Sequence, residues 1–168
     1  MGEPILSTAR LVFHPFTPAD YGVLADLHAD PEVQRHIGGL WTRDVIQARL
    51  DSYVAEQARF GFSKWKAYLH DGTFVGRMGV SLWERTGEFE IGYSMKRQAW
   101  GSGLATEGAR AVAEHFFRVT DERRLNGFTA VENHASRRVL ERIGMRHVGE
   151  ADLGFGGLTA LYLMTRPE

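Results

Sequence analysis

The apolar positions change period along the chain, and each change delimits an element. Ala9–Phe13 reads as a first strand. Thr17-Pro18 then offers a cap and a first-turn proline ahead of a helical spacing at Tyr21, Leu24, Ala25 and His28, which Asp30-Pro31 interrupts. A short helical piece over 31–36 ends at Gly38-Gly39, and Thr42 caps a longer helix striped by Ile46, Leu50, Tyr53, Val54 and Ala58. From Phe62 the period becomes two. Phe62–Leu69, Phe74–Leu82 and Glu88–Met95 read as consecutive strands joined by turns at His70-Asp71-Gly72 and Arg85-Thr86-Gly87, an antiparallel meander. Beyond Gly103, the positions Ala105, Ala109, Val112, Ala113 and Phe116 share a buried helix face. A strand at Leu125–Val131, a helix at Ala135–Ile143 and strands near Met145–Leu153 and Leu158–Thr165 complete the chain.

The order β, αα, βββ, α, β, α, ββ predicts a mixed α/β fold. Its sheet is mostly antiparallel, with one parallel crossover through the helix after Gly103 and helices on both faces. No linker, charge block or repeat divides the sequence, so residues 1–168 read as a single domain.

Composition narrows the chemistry. With 168 residues and 43% of them hydrophobic, a full core is available without staples, and the lack of cysteine removes thiolate metal sites, disulfides and a cysteine nucleophile. The formal charge of −1, with basic residues scattered among acids, gives no field for a nucleic acid. No apolar run is long enough to span a membrane and no targeting signal is evident, so the expectation is a cytoplasmic protein without nucleic-acid or membrane partners. The seven histidines show no paired metal-ligand spacing, so no metal is expected.

The most informative segment is Met95-Lys96-Arg97-Gln98-Ala99-Trp100-Gly101-Ser102-Gly103, a strand end leading into a helix start. Glycines at 101 and 103 let a ligand approach the backbone, and the first-turn amides of the helix lack intrahelical acceptors. Together they form a cradle for a pyrophosphate; the bland alternative is a tight strand-to-helix turn. The P-loop pattern is absent, and a dinucleotide fingerprint lacks its third glycine because Thr106 stands there, although Glu132 mimics a ribose-binding acid.

Gln98-x-x-Gly101-x-Gly103 resembles the acetyl-CoA loop of the GCN5-related N-acetyltransferases. Trp100-Gly101-Ser102-Gly103-Leu104-Ala105-Thr106-Glu107 is similar to the form in their ribosomal-protein (RimJ/RimL-like) branch. Glu90-Ile91-Gly92-Tyr93 and Asn133-x-x-Ser136-x-x-Val139-Leu140-Glu141-Arg142-Ile143-Gly144-Met145 match further segments of that branch in order, and Arg10-Leu11 with Thr17-Pro18-x-Asp20 resembles its opening.

The resemblance implies acetyl-CoA as co-substrate and a primary amine as acceptor, either a small molecule or a peptide N-terminus, in a monomer or homodimer. The pantetheine arm would lie along Tyr93, Ser94 and Met95. The pyrophosphate would meet Gln98, Trp100, Gly101, Ser102, Gly103, Leu104, Ala105 and Thr106, with Asn133 and Ser136 near the arm. For catalysis it implies Glu90 as acceptor of the amine proton, against a bland reading as a strand glutamate paired with a base such as Arg77. Ser136 and Tyr93 are the hydroxyls near the thiol, because Leu140 stands where many members carry a tyrosine acid. Trp41 and Glu88 are the expected acceptor contacts, and Glu107 is a partner of the helix dipole. A non-catalytic CoA-binding module and, behind it, an NAD(P) enzyme stay open as alternatives.

Overall fold

The computed structural model describes residues 2–168. Its centre is an eight-stranded sheet in the order β1-β2-β3-β4-β5-β6-β8-β7. The strands are β1 Leu6–Ser7, β2 Leu11–Pro15, β3 Lys64–Leu69, β4 Phe74–Trp83, β5 Glu88–Met95, β6 Arg124–Ala130, β7 Arg146–Asp152 and β8 Leu158–Thr165. The helices are α1 Tyr21–His28, α2 Pro31–Gln34, α3 Arg43–Phe60, α4 Leu104–Val119 and α5 His134–Arg142. Every pairing is antiparallel except β5 with β6, joined by the crossover through α4 that a parallel pair needs.

Two expectations from the pattern change. The first strand, expected at Ala9–Phe13, is a hairpin of β1 and β2. The Thr8 hydroxyl accepts the Leu11 amide (2.9 Å), so Ala9 and Arg10 form its turn. Thr17-Pro18 does not cap α1, which starts at Tyr21 without a side-chain cap. The carboxylate of Asp20 instead accepts the Thr17 amide (2.7 Å) and pairs with Lys66 (2.8 Å). The three helical pieces expected before the meander are present as α1, α2 and α3. Elsewhere the local signals hold: Thr42 accepts the Val45 amide (3.3 Å) at the start of α3, and Gly61 ends that helix at φ 78°.

Alternation along β4 divides the molecule into two layers. Met78 and Val80 point to α4 and α5 and join Leu11, Phe13, Trp65, Ile91, Val112, Phe116 and Leu140 in the main core. Helix α4 lies close against β4 because it carries glycine there: a Cβ on Gly108 would stand 2.7 Å from the Met78 sulfur. Arg77, Gly79 and Ser81 point the other way, under α1 and α3, where Phe16, Leu24, Ile46, Leu50 and Tyr53 form a smaller cluster. This second layer is polar beneath its apolar lid, with Lys64, Lys66, Arg77 and Ser94 all buried.

Phe116 packs against the rings of Phe62, Phe89 and Phe117 at centroid distances of 5.2–5.5 Å. Phe116→Ala is expected to lower unfolding free energy by about 3–5 kcal/mol in urea titrations, while Val148→Ala on the exposed edge strand stays within about 0.5 kcal/mol.

Candidate active site

Strands β5 and β6 pair only at Glu90–Asn126 and Ile91–Gly127. Past that point β5 continues along β4 to Met95, and β6 continues along β8 to Ala130, so the two strands part into a wedge. Backbone groups of β5 that would face a neighbouring strand lack one from Gly92 onward. An extended ligand can take that place as an added strand would. At the far end the Trp100 indole donates to the Met95 carbonyl (2.9 Å), fixing where β5 stops and the loop begins.

The loop opens with a single 3₁₀ turn over Arg97–Ala99 and reaches α4 through Gly101 (φ 71°) and Gly103 (φ 79°), both left-handed. No side chain caps α4, so its first-turn amides face outward, and the space around Gly101 is open. Four ties hold this shape. The Ser102 hydroxyl donates to the Ala99 carbonyl (2.7 Å), Lys96 pairs with Asp26 on α1, Arg97 pairs with Asp30 just beyond its end, and Arg10 Nη1 donates to the Ser102 carbonyl (2.8 Å). The side chain of Gln98 is exposed. A groove beside the helix start is lined by Arg10, Gly103, Thr106, Arg110 and Arg142, together with Glu107 and Glu114.

Glu107 does more than face the dipole. It accepts the Thr8 hydroxyl (2.7 Å), the Arg10 amide (2.9 Å) and Arg10 Nε (2.7 Å), pinning the β1–β2 turn to α4. Burial works to raise its carboxyl, but these bonds and the Arg10 charge together hold it below the ordinary range.

On the α4–α5 side of the wedge the Tyr93 hydroxyl lies 3.0 Å from both the carbonyl and the Oγ of Ser136. Ser136 in turn sits in the first turn of α5, where the Asn133 side chain accepts its amide (3.2 Å). Burial pushes the Tyr93 phenol above its usual range, so it keeps its proton and orients Ser136.

The opposite side of β5 carries the charges. Glu90 does not pair with Arg77: its Oε1 takes the Lys64 ammonium at 2.7 Å. Lys64 reaches it across Gly79 and Gly92, which lie side by side, and a Cβ on Gly92 would stand 2.9 Å from Lys64 Cε. Arg77 turns instead to the Tyr53 hydroxyl and to Ser94 Oγ (2.9 Å). Trp41 covers the guanidinium, 5.7 Å from the ring centroid, and stacks on His28 at 3.8 Å. His28 Nδ1 lies 2.5 Å from Gln34 Oε1, and because the Gln34 amide nitrogen donates to the Gly39 carbonyl, Nδ1 is the donor and Nε2 is bare. Burial first, and then the Arg77 charge, push His28 down to about 3.

The wedge and loop thus bring together Glu90, Tyr93, Ser94, Met95, Trp100, Gly101, Ser102, Gly103, Leu104, Asn133 and Ser136, with Trp41 one layer above. Glu88 is not brought there. It sits at the closed end, where Asn126 donates to it at 3.1 Å and Arg124 lies 3.6 Å away. Sequence reasoning missed Arg10, Lys64, Arg77 and His28 as site residues. The alternation that puts Lys64, Lys66 and Arg77 on one face was the available signal for part of this set.

The family model for the acetyltransferase (GNAT) domain matches residues 10–146. The FsC-acetyl coenzyme A-N(2)-transacetylase of Aspergillus fumigatus is 31% identical over 157 residues, 87% of this chain and 66% of that protein. Among solved structures, a GNAT-family acetyltransferase from Bacillus anthracis superposes with a TM-score of 0.81 at 21% identity, covering 97% of this chain and 99% of that one. A RimL ribosomal L7/L12 alpha-N-protein acetyltransferase in complex with coenzyme A gives 0.79 at 16% identity, covering 97% and 98%. These two share the fold.

The buried His28 makes stability pH-dependent. Unfolded, it takes a proton below its ordinary 6.5, whereas the folded ring stays neutral down to about 3. In that window the unfolded state binds more protons, so stability falls with pH, by about 2 kcal/mol between pH 7 and pH 5. Urea titrations at the two pH values are expected to show that loss in the native sequence and a smaller one in His28→Gln.

Proposed function

The chain belongs to the GNAT acetyltransferase family and is an N-acetyltransferase; from that premise we propose that it moves acetyl from acetyl-CoA directly to a primary amine in a ternary complex. The observation that carries this reading is the parting of β5 from β6 after Ile91–Gly127, at the end of which an uncapped helix start waits. The wedge suits the pantetheine arm, running along Gly92–Met95. The amides at Gly101–Thr106 and the cations Arg10, Arg110 and Arg142 suit the phosphates.

Acyl transfer forms a bond from the amine nitrogen to the thioester carbon and breaks the carbon–sulfur bond; one proton leaves the amine and one reaches the thiolate. Glu90 supports the first transfer, directly or through water, with its carboxylate held over Gly92 by Lys64 and Oε2 beside that glycine. Ser136, oriented by Tyr93 and by the Asn133 cap, supports the second by donating to the departing sulfur. No acyl-enzyme is required. The chain works as a single domain, and its acceptor is a small molecule or a peptide N-terminus, the latter being the acceptor that the name of the RimL neighbour states. Among the described residues no helix is long and apolar enough to cross a membrane, in keeping with work in the cytoplasm.

Free-thiol release is expected when acetyl-CoA is offered with a panel of amino acids, polyamines and peptides, and no release above hydrolysis with any of them would overturn the reading. Gly103→Val, which puts a branched side chain at a left-handed position beside Arg10, is expected to abolish acetyl-CoA binding in calorimetry. Ser136→Ala and Glu90→Gln are each expected to lower kcat about 10- to 100-fold with little change in KM for acetyl-CoA.

A further inference from the structure

Beneath the Trp41 indole lies a cation without an anion. Arg77 is 8% exposed, and among the described residues no carboxylate pairs with it. Its partners are the neutral Tyr53 and Ser94 hydroxyls, and its Nε has no acceptor. The charges around it do not compensate. Lys66 pairs with Asp20 and Lys64 with Glu90, while Glu56 on α3 accepts from Ser63 and Ser81. A second cation, Arg49, stands 5.4 Å from the same indole centroid. Holding a buried charge unpaired costs several kcal/mol, and Tyr53, Ser94 and the faces of two aromatic rings offset only part of that.

Position adds direction. Ser94 lies on the stretch of β5 past the parting from β6, so Arg77 stands one strand away from the wedge. It is on the face covered by α1 and α3, opposite the face on which α4 packs. Nε–H is buried and has no acceptor, and Nη2 beside it already donates to Ser94, so a carboxylate taking this side-on edge in two parallel N–H···O bonds would enter beneath the Trp41 indole and share Nη2 with Ser94. Trp41 roofs this edge from a segment that begins at Gly38-Gly39, both left-handed, and is held by the Gln34 bond to Gly39.

We propose that Arg77, roofed by Trp41, is the subsite for a carboxylate of the acceptor, so that the protein acetylates a small amino-carboxylate in preference to a neutral amine. The proposal rests on the acetyl-transfer reading above. The acceptor supplies the anion that Arg77 lacks, and its amine is thereby carried toward Ser94 and the acyl end of the wedge.

Matched pairs of acceptors test it, each an α-amino acid and its carboxamide, with acetyl-CoA as donor. The acid is expected to be favoured by about tenfold or more in kcat/KM, chiefly through KM. Arg77→Gln is expected to bring the ratio close to one and Arg77→Lys to retain part of it. Trp41→Ala, which removes a half-buried side chain at the rim of the smaller cluster, is expected to raise KM for the acid more than for the amide. Tryptophan fluorescence should change on adding the N-acetyl amino acid, and that change should be absent in Trp41→Phe. Turnover of amines with no preference for the acid overturns the carboxylate subsite alone, as does a preference that survives Arg77→Gln. If Arg77 instead governs a preference for succinyl- over acetyl-CoA, its anion belongs to the donor and the proposal fails. Silence with every amine overturns the acetyl-transfer reading itself.

Discussion

Everything at the site depends on two strands that stop pairing. A parallel neighbour would satisfy the outward backbone groups of β5 from Gly92 to Ser94, and none is present after Ile91 meets Gly127. Unpaired peptide groups in a sheet interior are costly, so the surroundings must hold the strands apart. They do so from both ends. Tyr93 reaches across to the first turn of α5, which Asn133 caps, and Trp100 closes the Met95 carbonyl. On the far side, β6 is occupied to Ala130 by β8 and cannot turn back. The opening is thus a built feature of the sheet, and it exists before any ligand arrives.

The two faces of β5 then divide the chemistry. Odd positions send Tyr93 toward α5, where hydroxyls and a helix start supply hydrogen bonds without charge. Even positions send Glu90 and Ser94 toward α3, where Lys64 and Arg77 supply charge. Gly92 lies between Glu90 and Ser94, and its missing side chain is what lets Lys64 cross β5 to its carboxylate. One strand therefore presents proton-holding hydroxyls on one face and ionised groups on the other, with the open backbone edge running between them.

Much of this was legible in the sequence because local rules govern it. The meander, the Thr42 cap and the strand-to-helix glycine loop each follow from a few adjacent residues, and each stands where the pattern put it. What escaped were choices of partner made across the chain. Alternation says which face Glu90 shares, but not that Lys64 rather than Arg77 reaches it, since that depends on two glycines lying side by side in the β4–β5 register. In the same way Glu107 looked like a dipole partner, whereas its carboxylate is bound by Thr8 and Arg10 at the other end of the chain. The split of the first strand also turned on one hydroxyl, that of Thr8, closing a turn within a run that otherwise read as extended.

The division between backbone and side chains explains why one end of the site is easy to recognise and the other is not. The proposed donor end depends on amides, left-handed glycines and an uncapped helix, which constrain the sequence to a short and recognisable string. The proposed acceptor end depends on side chains contributed by α1, α3, β3, β4 and the segment at Trp41, spread over five separate elements and free to change one at a time. On the proposed reading, a fold built this way can keep its co-substrate while its acceptor changes. On the proposed reading the residues that select the acceptor are therefore to be sought under the Trp41 roof, where the buried guanidinium of Arg77 has no carboxylate partner among the described residues.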